Sequence, residues 1–243
     1  MPFQPVDSRR LYEQVADQIA ALVRAGEFAP GQRLPAERDL AKSLRVSRPV
    51  VREAMIALEI AGLIEVRVGA GAFVKSPPAE PVAAVNPGHS PSDILNARLL
   101  IEGETAALAA ARATPLDLAA IAAQQEAMIR EHKQGGDWRA ADLGFHVAIA
   151  RASGNAALAS VVERLWQEQH APVFSLLSER VRLSDNWAAT VGRHADVLAA
   201  IGAGKRKAAR DAMRAHLTQV LSVLTGDDEG FGAATSDARR RTR

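Results

Sequence analysis

Four residues in the C-terminal half of the chain carry the side chains of a metal site: Asp142, His146, His194 and His216. Asp142 and His146 are spaced i,i+4, so on a helix they project from one face. His194 and His216 fall on two later segments of helical pattern. Three helices of a bundle can aim these four groups at one interior point. Imidazole and carboxylate together suit a divalent ion, zinc foremost, with nickel, manganese or iron as alternatives. On an ion that takes five or six ligands, such a set leaves positions open, and a carboxylate or hydroxy acid can fill them. Spacing alone leaves a plainer reading open, in which Asp142 and His146 form an ion pair on a helix surface. His89, His132 and His170 read as solvent-facing or as ordinary polar contacts.

A second group with chemistry lies near the N-terminus. Between Arg33 and Arg52 stand six basic residues against two acidic ones. Such a run is by itself a solvated face, and only its pattern turns it into a nucleic-acid argument. Leu40, Ala41 and Leu44 give one short helix an inner face. Val46-Ser47 makes a tight turn with Ser47 as N-cap. A following helix turns Val50, Val51, Ala54, Met55 and Leu58 inward and carries Arg48 and Arg52, spaced i,i+4, on its other face. This is a helix-turn-helix, whose second helix enters the major groove N-terminus first. An arginine there can pair with guanine O6 and N7, worth roughly 1–3 kcal/mol of discrimination. Ser47 and the helix N-terminus can hold a phosphate. Leu63–Val68 and Ala72–Val74 read as two strands around Gly69-Ala70-Gly71, a hairpin placed as a wing.

The elements that must position these groups are marked along the chain. A first helix is expected with Leu11, Val15, Ile19, Leu22 and Val23 on its inner face. Residues 1–75 form the winged helix-turn-helix. Residues 76–91 hold five prolines and read as a semi-extended linker, because proline blocks helix and removes donors. Residues 92–226 read as helix after helix, near 91–112, 115–134, 137–153, 155–170, 172–183, 186–202 and 205–225. Ser90-Pro91 and Thr114-Pro115 are start signals; Gly135-Gly136 and Gly154 are stops. Residues 227–243 are polar and glycine-rich, and are expected to be a disordered tail. The fold class is mainly α: an N-terminal winged helix-turn-helix plus a C-terminal all-α bundle. The 243 residues suit two domains of ordinary size. There is no cysteine, which excludes disulfides and thiolate metal sites. No apolar signal segment and no run long enough to span a membrane is read, so a cytoplasmic protein is expected.

These motifs resemble a known family. Residues 11–74 are similar to the DNA-binding domain of the GntR family: Leu11-Tyr12, Gly31-Gln32-Arg33-Leu34-Pro35-Ala36-Glu37-Arg38, Val46-Ser47-Arg48, Val51-Arg52-Glu53-Ala54, Gly62-Leu63-Ile64 and Gly69-Ala70-Gly71-Ala72-Phe73-Val74. The resemblance implies DNA contacts at Arg38, Ser47, Arg48, Arg52 and wing Gly69, and a homodimer on a palindromic operator in double-stranded DNA. Pro49 stands where a polar residue is common in the family. Residues 92–224 resemble the FCD ligand-binding domain of the FadR subfamily: Arg98-Leu99-Leu100-Ile101-Glu102, Asp142-Leu143-Gly144-Phe145-His146, Ala152-Ser153-Gly154-Asn155, His194-Ala195-Asp196-Val197 and Ala212-Met213-Arg214-Ala215-His216. All four metal positions of that family are filled, which implies its metal-containing branch and argues against an acyl-CoA effector.

The resemblance also gives Arg98 a role, reaching toward an effector carboxylate, which a guanidinium matches bidentately. The alternative is a surface Arg98–Glu102 pair. Asn155 is either a helix N-cap or a lining residue of the effector pocket. The implied effector is a small organic or sugar acid; Leu165-Trp166, Pro172-Val173-Phe174 and Trp187 loosely resemble regulators of hexuronate and aldonate use. By default Trp166 and Trp187 are core residues. The expected function is a DNA-binding transcriptional regulator, a repressor, controlled by that acid at the metal. Other readings are a metal-responsive regulator, an architectural DNA binder, and a metal-dependent enzyme. Enzymatic use finds little support, because the sequence marks no clear additional base beside the metal ligands and a DNA-binding head has no enzymatic purpose.

Overall fold

The computed structural model describes residues 10–67, 69–76, 88–181 and 187–226. Most of the expected linker and the whole expected tail lie outside the described residues. The chain forms two compact units, Met1–Pro91 with Ala171–Leu177, and Ser92–His170 with Ser178–Arg243. Sequence reading places the segment Ala171–Leu177 with the C-terminal bundle; in the fold it groups with the first unit.

In the first unit, α1 (Leu11–Arg24) packs along α3 (Arg48–Ile60), and α2 (Glu37–Leu44) packs on α3. The buried stripe of α1 is Tyr12, Val15, Ala16, Ile19 and Ala20. The expected stripe is therefore rotated: Leu11 and Leu22 are exposed. The rotation follows from Tyr12, whose hydroxyl donates to the carbonyl of Gly88 at 2.6 Å. A large ring with a satisfied polar tip is buried in place of two leucines at the stripe's edge. Between α2 and α3 the chain turns through Arg45, which adopts the left-handed conformation at φ 56°. Val46 N–H then bonds back to Ala41 O at 3.1 Å, which closes the end of α2. Ser47 is extended, and Pro49 sits in the first turn of α3, where its missing N–H costs nothing.

Strands β1 (Ile64–Arg67) and β2 (Gly71–Val74) pair antiparallel, Ile64 opposite Val74 and Arg67 opposite Gly71. A third segment joins them. Leu34 N–H bonds to Ala72 O and Val74 N–H to Gln32 O, each at 2.9 Å. The wing is thus anchored to the stretch before α2, a pairing that sequence periodicity does not reveal.

The second unit is helical throughout its described residues. It comprises α4 (Pro91–Arg112), α5 (Pro115–Lys133), α6 (Arg139–Ala152), α7 (Ala156–Gln167) with one 3₁₀ turn after it, α9 (Trp187–Gly202) and α10 (Arg206–Thr225). The intervening α8 spans Pro172–Arg180. Thr114 and Asp117 cap α5 reciprocally: Thr114 Oγ1 accepts from Asp117 N at 3.2 Å, and Asp117 Oδ2 from Thr114 N at 2.8 Å. The core joins Ala106, Ile121, Phe145, Ile149, Val197, Ile201, Met213 and Leu217 from five helices. Its many alanines let the helices approach closely. At Gly144, a Cβ would stand 2.3 Å from Gln124 Oε1, so the Gln124 side chain of α5 lies against the bare backbone of α6 there. No helix among the described residues is long and apolar enough to cross a membrane.

Packing, rather than capping, holds this unit together. Ile121→Ala is expected to cost about 2–5 kcal/mol and Thr114→Ala about 1 kcal/mol, both read from urea unfolding. Equal costs would show that α5 is held by its cap and not by the core.

Candidate functional site

Six ionisable side chains meet inside the second unit. Helix α4 supplies Arg98 and Glu102, one turn apart. Helix α6 supplies Asp142 and His146, also one turn apart, while α9 brings His194 and α10 brings His216. All six are buried, the most accessible being Asp142 at 8%. The two i,i+4 pairs lie on the inner faces of their helices, in register with Phe145 and Ile149.

Of the expected metal quartet, the three imidazoles group together, and Asp142 approaches two of them. His194 Nε2 lies 3.2 Å from His216 Nε2 and 3.4 Å from Asp142 Oδ1. His146 Nε2 lies 3.7 Å from the same Asp142 oxygen. One nitrogen from each imidazole falls within 4.8 Å of the others. Ligands about 2.0–2.1 Å from a tetrahedral ion stand about 3.4 Å apart, and the separations of 3.2, 3.4 and 3.7 Å lie near that value. Asp142 Oδ1 and His146 Nε2 are buried without any hydrogen-bond partner, as is His194 Nδ1. Buried polar atoms are nearly always satisfied, so the unpaired oxygen and nitrogen facing one point suit a cation. The donor set fits a divalent ion.

Charge in this interior is unevenly settled. Burial alone would raise the Glu102 carboxyl, but the Arg98 charge and His146 outweigh it and hold it at about 2. Burial pushes Asp142 up from its usual range, and His146 and Arg98 only partly offset this. Burial pushes His194 and His216 well below the usual imidazole value, and the neighbouring His146 and Arg98 push the same way. Both imidazoles are therefore neutral near pH 7, with lone pairs available for ligation.

Arg98 is inside, as its expected role demands. Its Nε donates to Glu102 Oε1 at 2.5 Å, and its guanidinium lies over the Trp166 ring at 4.3 Å. The Arg98–Glu102 pair thus exists, but in the interior and not on the surface. Glu102 Oε2 also meets His146 Nδ1. Sequence reading missed Glu102 as a site residue. Its spacing from Arg98 was visible, but its contact with a residue 44 positions away was not. Trp166 is both core residue and platform for Arg98. Trp187 is half-buried and stacks on His132 at 3.9 Å. Asn155 does not join the cluster. It is exposed, and its Oδ1 caps α7 by accepting from Ala157 N at 3.1 Å and Leu158 N at 3.3 Å.

In the first unit, Arg38, Ser47, Arg48 and Gly69 are all exposed. Ser47 occupies the N-cap position of α3, but its hydroxyl makes no cap bond. Gly69 sits at the wing tip at φ 75°, with nothing near its α-carbon to hinder approach. Arg52 departs from the expected exposed pair with Arg48. Its side chain is 19% exposed, and Nε and Nη2 both donate to Glu37 Oε2 at 3.3 Å. It ties α3 to the start of α2, because one turn along α3 is already within reach of the neighbouring helix.

A model of the bacterial regulatory proteins of the gntR family matches residues 11–74, and a model of the FCD domain matches residues 93–219. The Exu regulon transcriptional regulator of Escherichia coli K12 is 38% identical over 93% of this chain and 90% of its own length. This chain belongs to the GntR family. The Uxu operon transcriptional regulator of the same organism is 36% identical, over 89% of this chain and 88% of its own. In fold, the GntR protein resembles the solved structure of Lar, which controls expression of the Listeria monocytogenes agr system, with a TM-score of 0.50. The two share 17% identity over 90% of this chain and 98% of that one. This GntR protein is a transcriptional regulator carrying an FCD domain, and not an enzyme.

Arg98 and Glu102 neutralise one another in a dry interior. Arg98→Met is expected to destabilise the bundle by about 3–5 kcal/mol, because it strands a buried carboxylate. Arg98→Met combined with Glu102→Leu should lose less, as measured by urea unfolding. A double variant as unstable as the single one would show that Arg98 acts through packing on Trp166.

Proposed function

We propose that this GntR regulator is a repressor of the FadR subfamily's metal-containing branch, released from DNA by a small carboxylate or sugar acid. The acid binds beside a divalent ion, zinc foremost, at Asp142, His146, His194 and His216. The observation that carries this reading is the grouping of three imidazoles with the Asp142 oxygen near two of them, Asp142 Oδ1 and His146 Nε2 unpaired, beside a buried arginine. When bound, the ion supplies a Lewis-acidic centre to which an effector carboxylate can attach. The chain's own residues do the rest. Neutral His194 and His216 offer lone pairs, Asp142 supplies the negative charge, and Arg98 meets a second carboxylate oxygen. Trp166 covers the guanidinium on one face and keeps water from it.

The DNA reading rests on the first unit. Arg48 opens α3 with its side chain in solvent, and Ser47 precedes it with an uncommitted hydroxyl. In our reading Arg48 contacts base edges while Ser47 and Arg38 contact phosphates. Gly69 lets the wing tip approach the backbone or minor groove. Arg52 holds α3 at its angle to α2 through Glu37. A homodimer places two such heads on a palindromic operator. The named relatives each govern a regulon or an operon, which supports an operator-specific regulator over an architectural binder. An effector alters operator affinity only to the extent that it binds the two arrangements of the dimer differently.

The test is a thermal-shift screen of zinc-loaded protein against sugar acids, hydroxy acids and dicarboxylates, repeated after chelation. An acid that raises the melting temperature only in the presence of metal supports the reading. Stabilisation by zinc with no response to any acid would replace it with a metal-responsive regulator. In parallel, Arg48→Ala should weaken operator binding by roughly 1–3 kcal/mol with metal content unchanged. His194→Ala should lower metal content while the metal-free protein still binds operator. Loss of metal in Arg48→Ala, or full metal in His194→Ala, would sink the assignment of the two sites.

A further inference from the structure

The metal quartet accounts for one nitrogen of each imidazole and leaves open what decides which nitrogen that is. A neutral imidazole has one N–H and one lone pair, and only the bare nitrogen can bind a metal. For His146 the metal-facing atom is Nε2, which is 3.7 Å from Asp142 Oδ1 and has no hydrogen-bond partner. Its other nitrogen, Nδ1, meets Glu102 Oε2. An ionised carboxylate only accepts, so this contact places a proton on Nδ1, and in a ring carrying one proton Nε2 is then bare; Arg98 Nη2 also lies 3.5 Å from Nδ1, at the outer limit of a hydrogen bond. The other oxygen of the same carboxylate, Oε1, takes the Nε proton of Arg98 at 2.5 Å. One side chain, 1% exposed, therefore sets the ring of a metal ligand with one oxygen and the guanidinium with the other.

We infer that Glu102 is the positioning residue of the sensor site. It fixes His146 in the tautomer that can ligate, and it holds Arg98 over Trp166 at the edge of the same site. This inference rests on the metal reading above. It adds a physical link between the two binding functions, because a movement of Glu102 that releases Arg98 also disturbs His146. Glu102 uses only one of the five guanidinium N–H groups, so it orients Arg98 without exhausting it. Metal ligands held by an outer carboxylate in this way typically lose about 10–100-fold in affinity when that partner is changed.

Glu102→Gln separates positioning from mere packing, because it keeps the size and shape of the side chain. Its amide oxygen can still accept from Arg98. Its amide N–H₂ then faces His146 Nδ1 and donates, which drives the ring proton to Nε2 and closes that atom to metal. Zinc affinity is measured by competition with a chromophoric chelator for wild type, Glu102→Gln, His146→Ala and His194→Ala. The tautomer of His146 is read in metal-free protein from long-range ¹H–¹⁵N correlations. Wild type should show His146 protonated at Nδ1. Glu102→Gln should show it protonated at Nε2 and bind zinc about 10–100-fold more weakly. Wild-type zinc affinity in Glu102→Gln, with binding lost in His146→Ala, would overturn the proposal. So would an Nε2-protonated His146 in the wild-type protein, a result that does not depend on the variant folding. Unchanged zinc binding in both histidine variants is a different failure: it removes the metal reading itself, and the ligand role of His146 with it.

Discussion

Burying a charge in a dry protein interior costs several kcal/mol per ion unless a partner meets it. The second unit buries Arg98, Glu102, Asp142, His146, His194 and His216 together, and much of its construction answers that cost. Glu102 is satisfied from both sides, by a guanidinium and by an imidazole. Arg98 gains a second partner in the Trp166 ring, and His194 stacks on Phe145 at 4.4 Å. Asp142 is the exception. Its Oδ1 lies near the His146 and His194 rings but has no hydrogen-bond partner. The interior is balanced at the Arg98 end and short of positive charge at the Asp142 end.

That asymmetry is what the proposed ion and acid would answer: the ion would supply positive charge at the Asp142 end, and the acid would meet Arg98. Placing these groups on helices instead of loops holds them to well-defined positions. The four contributing helices share one packed core, so displacement of any one ligand is felt along its whole helix.

In the first unit the corresponding constraint is the angle between α2 and α3. The left-handed Arg45 makes the turn, the Ala41–Val46 bond closes it, and the Glu37–Arg52 pair spans it. Arg52 is half-buried, so this pair is worth more than a fully exposed one but remains modest. The backbone of residues 32–34 pins the wing through Ala72 and Val74. Arg48, Ser47 and Gly69 thus stand exposed on a frame whose turns and hydrogen bonds are set elsewhere.

Much of this architecture is legible in the sequence. Pro91, Thr114-Pro115 and Gly154 marked helix ends within a residue or two, because caps and breakers act through bonds to their immediate neighbours. The i,i+4 pairs Arg98–Glu102 and Asp142–His146 could be read as sharing a face for the same reason: helical geometry is local. The sequence could not show that Glu102 touches His146, or that Arg52 is tied to Glu37. Nor could it show that residues 32–34 pair with the wing, or that Tyr12 takes the place of Leu11 in the core. It left Asn155 open between cap and pocket, and the fold uses its side-chain oxygen to cap α7. Each of these depends on which elements pack together, and at what rotation about their axes. Covalent order determined the helices and the residue types they carry. Only the packing decided which of those residues are buried together, because burial cost and partner distance are properties of the assembled interior.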